Sequence, residues 1–452
     1  MTANRRETIR RETNRREFVR AGAWVGFGLA ALGTGRVARA AAAGEDAVRV
    51  AVMGVNSRGA ELAAGFTRQA GCRVTAVCDV DSRASERVAG ALVSELGAAK
   101  PDLEPDLRRL LERRDVDALV IAAPDHWHAP AAILALDAGK HVYVEKPCSH
   151  DAREGELLVA AQRARPDLVV QMGNQQRSAP ESIEIVAEIR AGLIGRPYYA
   201  RTWYANTRGS IGRGRPAPVP EWLDYELWQG PAPRRPYRDN LIHYNWHWFW
   251  NWGTGEINNN GAHEIDVGRW ALDVDVPTRV SSVGGRYHFE DDWEAFDTQV
   301  ATYEFGAECS LVWEGRSCNG RPVEGRGRGA SIHGETGTVI LDRSGYVVYD
   351  REGEVVAERR RDETDSALDT RGGGGLTDLH IANFLAAVRG RETPNAPIAD
   401  ARTSVLLCHL GNIAQLEGRS LDIDPATGRI RGDKAAMKRW GREYERGWEP
   451  RV

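Results

Sequence analysis

Apolar runs at 48–53, 73–78, 118–122, 142–144 and 168–172 alternate with stretches of helical length. That alternation predicts a doubly wound α/β unit, in which buried parallel strands are joined by right-handed helical crossovers. Ligands of such sheets sit beyond the carboxyl ends of the strands. The residues that follow each run are therefore the first place to look for chemistry.

The first run ends in Gly54-Val55-Asn56-Ser57-Arg58-Gly59 and a helical stretch to about Arg68. A strand, a glycine turn and a helix form the phosphate cradle of a dinucleotide site. Gly54, Asn56, Ser57, Arg58 and Gly59 are its candidate cofactor contacts, and Asn56 stands where the pattern expects a second glycine. The second run ends at Asp79, about 25 residues after Gly54, at the place for an acid that binds the adenosine ribose. Asp79 favours NAD over NADP; the nearby Arg83 keeps NADP as the lesser alternative.

The third run leads to Pro124-Asp125-His126-Trp127-His128, with Pro124 as a cofactor candidate and a helix expected from about Pro130 to Ala138. The fourth ends at Glu145-Lys146-Pro147. The fifth leads to Asn174-Gln175-Gln176, where Asn174 and Gln175 are candidates for binding substrate. The His-x-His pair lacks a cluster that would complete a four-ligand metal site, so no metal is expected.

The pattern changes after about residue 180. Residues 205–252 form a long segment rich in Pro, Gly and Arg, of the kind that makes lids and binding elements. It runs into His243-Tyr244 and Trp246-His247-Trp248-Phe249-Trp250-Asn251-Trp252. Eight of the chain's 14 Trp lie between 203 and 270. His243, Tyr244, His247 and Trp248 are candidate substrate contacts, because aromatic faces stack on sugar C–H surfaces; a buried aromatic core is the equal alternative. Short antiparallel runs from 198 to 350 predict a second, sheet-based α+β domain, with a charged linker over 352–375.

Composition narrows the partners. With 42% hydrophobic and 27% charged residues, the 452-residue chain is globular and long enough for two domains. A net charge of -4 gives no reason to expect nucleic acid. The six cysteines lack metal or disulfide spacing and read as free thiols. Beyond the N-terminus no apolar run has the length of a membrane span. Residues 1–43 read as an export signal: Arg15-Arg16-x-Phe18 resembles the twin-arginine motif, an apolar stretch follows, and Ala38-Arg39-Ala40 is a candidate cleavage site. The expected location is periplasmic or extracellular.

The run Ala138-Gly139-Lys140-His141-Val142-Tyr143-Val144-Glu145-Lys146-Pro147 resembles that of the Gfo/Idh/MocA oxidoreductases. The resemblance covers about residues 47–425. It implies an NAD-binding Rossmann domain (47–175), an α+β substrate and oligomerisation domain with an open, mostly antiparallel sheet (176–375), closing helices (376–425) and a tail (426–452). It also implies Lys146 as catalytic lysine, with Glu145 beside the cofactor and His128 beside the nicotinamide; local loop packing is the equal alternative for His128. The family's second signature is matched by the glycine-rich segment 253–266, which places His263 at the catalytic histidine and Asn259 where many dehydrogenases carry aspartate. Asn259 can orient a hydroxyl but cannot accept its proton. The implied activity is NAD(P)-dependent oxidation of a ring hydroxyl of a sugar, glycoside or polyol. The alternatives are a glycosidase that oxidises a carbinol transiently and a non-catalytic sugar-binding protein. An open sheet face implies a homo-oligomer.

Overall fold

The computed structural model describes residues 47–361 and 375–452. The export signal expected over 1–43 lies outside them.

Six strands form the first sheet: β1 (Val48–Met53), β2 (Cys72–Cys78), β3 (Asp102–Leu103), β4 (Ala118–Ile121), β5 (His141–Val144) and β6 (Val170–Met172). They run parallel in the order β3-β2-β1-β4-β5-β6. The strands read as continuous apolar runs because both faces are covered. Val50, Val52, Val120 and Tyr143 pack under α1 (Arg58–Arg68), α2 (Ser82–Leu96) and the helix Gly375–Val388. Met53, Leu119, Ile121 and Val144 pack under α3 (Leu107–Leu111), α4 (Asp125–Asp137) and α5 (Ala152–Ala164). Strand order reverses between β1 and β4, so a crevice opens beyond their carboxyl ends.

Several features differ from the sequence expectation. Residues 84–113 read as helical, yet β3 interrupts them; its two exposed residues sit between Pro101 and Pro105 on the sheet edge, too short to show alternation. Helix α4 begins at Asp125, five residues before Pro130. Proline there removes the N–H that would bond the His126 carbonyl. Arg442 Nη2 donates to that carbonyl instead, at 2.7 Å. The segment 426–452, expected as a tail, is therefore packed: Trp440 is buried and Trp448 meets Trp127 edge to face at 5.1 Å.

The second sheet has nine strands: β7 (Pro197–Ala205), β8 (Arg279–Gly285), β9 (Thr298–Phe305), β10 (Cys309–Arg316), β11 (Arg328–Gly334), β12 (Gly337–Asp342), β13 (Gly345–Asp350), β14 (Val355–Arg360) and β15 (Leu421–Asp422). Their order is β14-β13-β12-β11-β7-β10-β9-β8-β15, and only β7–β10 pair in parallel. Strand β14 replaces part of the expected 352–375 linker; its Glu358-Arg359-Arg360 end is the charge that guards an edge strand. One face is covered by α6 (Pro180–Arg190), α8 (Ala262–Leu272) and the helix Ile398–Glu417. That last helix joins the two units. Ile398, Ala401 and Val405 enter the first core, and Leu406, Leu410 and Ile413 the second. No described helix is long and apolar enough to cross a membrane. All six cysteines are free thiols.

Candidate active site

The β1–α1 turn is built for close approach. Gly54 has φ +79°, and a Cβ there would lie 2.5 Å from the Ala123 backbone nitrogen. A Cβ on Gly59 would lie 1.9 Å from the Gly54 carbonyl oxygen. Asn56 fits the second-glycine position because it turns outward: its Oδ1 and carbonyl accept from Arg87 Nη2 at 3.2 and 3.1 Å. Asp79 sits at the end of β2, its carboxylate accepting from Val55 N (2.6 Å) and Asp81 N (2.9 Å). Burial pushes its pKa up against those two bonds. Gly54, Asn56, Ser57, Asp79 and Pro124 line one cleft of about 960 Å³. This cradle fits a dinucleotide.

The segment 205–252 roofs that cleft with Trp228, His243, Tyr244, Trp246 and His247. The roof is stitched down on both sides. His243 Nε2 lies 3.0 Å from Asp81 Oδ2, and Asp224 N donates to Val80 O. At the other side the Trp228 carbonyl accepts from Trp127 Nε1 at 3.0 Å, with His126 Nε2 also at 3.0 Å.

A second cavity of about 990 Å³ shares Ser57, Ala122, Ala123, Tyr244, Trp246 and His247 with the first, so the two are continuous. Lys146 enters it from the end of β5. Its Nζ donates to the Asn259 carbonyl (2.6 Å) and to Asn259 Oδ1 (3.2 Å). Asn259 lies on a π-helical turn, Ile257–Gly261, that runs directly into α8 and brings His263 to the same cavity. Burial lowers the Lys146 pKa; Glu145 and Asp125 oppose the fall, while Arg328 and Arg343 add to it. Burial, then Arg343 and Lys146, hold the His263 pKa well below the usual imidazole range, so its ring is neutral. Asp266, at the end of the same signature, does not face the cavity chemistry. It is clamped by Arg177 through two bonds of 2.7 and 2.8 Å.

Several expected contacts fall elsewhere. Arg58 turns from the glycine turn to Glu145, with Nε 2.9 Å from Oε1, and both line the second cavity. Gln175 joins them, donating to Glu145 Oε1 at 3.2 Å. Glu145 is thus held by Arg58 and is not the ion-pair partner of Lys146. Burial would raise its pKa, but Arg58 and Lys146 bring it below the usual range. His128 lies on the second-cavity wall, its ring nitrogens 2.6 and 2.7 Å from the Pro147 and Ala123 carbonyls.

Three substrate candidates lie outside the second cavity. Asn174 is 2% exposed, lines neither cleft and immediately precedes the turn Gln175–Ser178. His243 lines only the nucleotide cleft, tied to Asp81. Trp248 is core, stacked on Trp293 at 3.9 Å. The Trp run is not extended; residues 245–248 form a 3-10 turn, so alternation does not sort its faces. Tyr244 and His247 do line both clefts.

Four site residues had little or no sequence signal. Asp125 lies within the Pro-Asp-His-Trp-His turn but is overshadowed there by its histidines. Glu256 binds Arg208 (Nε, 2.6 Å), Ser317, Asn259 and Asn260. Arg328 and Arg343 arrive from the second sheet, more than 60 residues beyond the signature segment.

Two family models match this architecture. Residues 48–173 match the Gfo/Idh/MocA oxidoreductase family, NAD-binding Rossmann fold, and residues 200–338 match its C-terminal alpha/beta domain. The chain belongs to the Gfo/Idh/MocA oxidoreductase family, and its first domain is an NAD-binding Rossmann domain. Among curated relatives, it is 34% identical over 211 residues to a glycosyl hydrolase family 109 protein of Saccharopolyspora erythraea, covering 42% of this chain and 45% of that one. It is 31% identical over 166 residues to inositol 2-dehydrogenase 4 of the same organism, covering 36% and 47%. The matches thus span less than half the length of these relatives. Among solved structures, myo-inositol dehydrogenase from Lactobacillus casei, in complex with NAD(H) and myo-inositol, superposes with a TM-score of 0.60 at 19% identity, covering 86% of this chain and 99% of that one. An NAD binding oxidoreductase from Klebsiella pneumoniae gives 0.63 at 18%, covering 84% and 99%. These two similarities establish the fold.

Proposed function

We propose that this chain is an NAD-dependent enzyme oxidising a ring hydroxyl of a sugar, glycoside or polyol. One observation carries this reading. Lys146 and His263, from different domains, converge with Asn259 on a cavity continuous with the glycine-turn cleft. NAD, held by the Gly54–Gly59 turn and Asp79, supplies the two-electron acceptor when bound. Asp79 supports NAD over NADP because a carboxylate repels a 2′-phosphate. Arg83 is committed elsewhere: it pairs with Asp81 and lies 3.4 Å over the Trp222 ring.

Carbinol oxidation needs a group to take the hydroxyl proton. Lys146 has the depressed pKa that fits a base. The neutral His263 ring can accept from one hydroxyl and donate at its other nitrogen. Asn259 orients by hydrogen bonds alone. Lys146→Met is expected to lower sugar-dependent NADH formation about 10²–10⁴-fold with NAD affinity retained. Unchanged turnover refutes the assignment.

The stitched roof over the nucleotide cleft favours a second reading, in which the oxidation is transient and a glycoside is cleaved without net NADH. The glycosyl hydrolase names of the relatives agree with it. Aryl glycosides, followed for both aglycone release and absorbance at the NADH band, separate the readings. Export through the twin-arginine segment and homo-oligomerisation through the sheet face away from the helices, which bears exposed Val283, complete the proposal. Cell fractionation and light scattering test them.

A further inference from the structure

The cavity holds one acid that no expectation used. Asp125 opens α4 at the carboxyl end of β4 and lines the same cavity as Lys146, Asn259 and His263. It is 3% exposed. Its Oδ2 accepts from Thr254 Oγ1 at 2.5 Å. The other buried acids nearby each hold a guanidinium: Glu145 has Arg58, Glu256 has Arg208, Glu264 has Arg328 and Asp266 has Arg177. Among the described residues, Asp125 has none.

We propose that Asp125 is a positioning residue for the Lys146 proton, supplying the carboxyl that an amide at 259 cannot. The proposal rests on Lys146 acting as base. Lys146 Nζ donates to Asn259 and makes no direct ion pair with Asp125, so the exchange crosses the cavity they share: the ammonium gives up one proton, the carboxylate takes one up, and a neutral amine and a neutral acid remain. The amine then takes the proton of a carbinol hydroxyl, and Asp125 keeps the first. Charge supports the exchange. Burial pushes the Asp125 pKa up while His128, Thr254 and Lys146 hold it down. Burial pulls Lys146 down while Glu145 and Asp125 hold it up. Acid and base are driven toward one another, the pattern of a pair that shares a proton. The remaining charged or titratable groups on the walls do not replace Asp125: Arg328, Arg343, His263, His247 and His128 bring no carboxylate, the Tyr244 hydroxyl accepts from Arg208, and Arg58 holds Glu145.

The chain has five lysines (Lys100, Lys140, Lys146, Lys434 and Lys438), so lysine labelled with ¹³C at Cε gives five signals. The Lys146 signal is the one lost in Lys146→Met. In the wild-type protein it is expected to titrate in two steps, which belong to the Lys146–Asp125 pair. In Asp125→Asn, which still accepts from Thr254, a single step is expected, with the Lys146 acid constant raised at least tenfold and the other four lysines unmoved. Thr254→Val, which removes only the hydrogen bond, is expected to leave both steps. A single step in the wild type, or an unmoved Lys146 signal in Asp125→Asn, overturns the proposal. No substrate is needed. Coupling without sugar oxidation therefore counts against the proposed reaction alone, and oxidation without coupling against Asp125 alone.

Discussion

Arg442 lies far from the cavity in sequence, yet it holds the helix that carries Asp125, Trp127 and His128. Its side chain is 10% exposed, and Glu154, its partner, is fully buried. Nε donates to Glu154 Oε1 at 2.8 Å, and Nη2 donates to the His126 carbonyl that Pro130 leaves open. Arg442→Met keeps most of the side-chain length and removes both interactions. Glu154 would keep the Tyr444 hydroxyl and the His150 N–H but lose its counter-charge. Breaking a buried pair by removing one partner costs about 3–5 kcal/mol. The orphaned carbonyl accounts for about 1–3 kcal/mol of the same loss. The chain has several cores, so amide hydrogen exchange is a better probe than a global midpoint. Exchange protection over α4 and α5 is expected to fall about 10²–10⁴-fold, while β9 and β10 keep theirs. The double variant Arg442→Met, Glu154→Leu is expected to recover most of it, because an apolar pair can replace a buried ion pair at little cost. A loss under tenfold, or a double variant as unprotected as the single one, refutes this account of α4.

Three other perturbations test separate parts of the molecule. His126, His380 and His409 are buried, with pKa values lowered to about 3, 4 and 3, chiefly by burial. The unfolded chain therefore binds more protons below pH 6.5, and stability is expected to fall as pH drops from about 6.5 toward 4, by up to about 4 kcal/mol per unit for the three; urea midpoints that stay flat from pH 6.5 to 5 contradict this. Gly59→Ala drives a Cβ into the Gly54 carbonyl, an overpacking worth about 3 kcal/mol or more, and calorimetry should show NAD binding lost. Asn259→Asp sets a carboxylate where the Asn259 amide now donates to Glu256 at 3.3 Å. It is expected to cost about 3 kcal/mol of thermal stability, and a more stable, faster enzyme would show that Glu256 does not dictate the amide.

The first domain was legible because its strands are buried on both faces and each ends on a residue with a distinctive chemistry. Gly54, Asp79 and Lys146 carry local signals of that kind; His263 stood out only through the resemblance of the segment 253–266 to the family's second signature. The roof was legible as a loop but not in its contacts. Trp246 and Trp248 have the same side chain two positions apart, and only the 3-10 turn sends one to the cleft and the other onto Trp293. Asn174 looked available at a strand end, but its turn buries it. Arg442 carries no local sign of its role, since its partners Glu154 and His126 lie 288 and 316 residues away.

Asn259 is best understood through Glu256. That carboxylate receives Arg208 on one side and the amides of Asn259 and Asn260 on the other. Arg208 also donates to the Tyr244 hydroxyl and lies over the Trp248 ring. Tyr244 lines both clefts, so one hydrogen-bonded unit runs from the roof of the nucleotide cleft to the turn that holds Lys146. An aspartate at 259 would repel Glu256 and weaken that link. An amide satisfies Glu256 with its N–H and offers Oδ1 to Lys146. The price is a site with no proton acceptor at 259, and Asp125, the cavity acid without a guanidinium among the described residues, is where the chain can make it good.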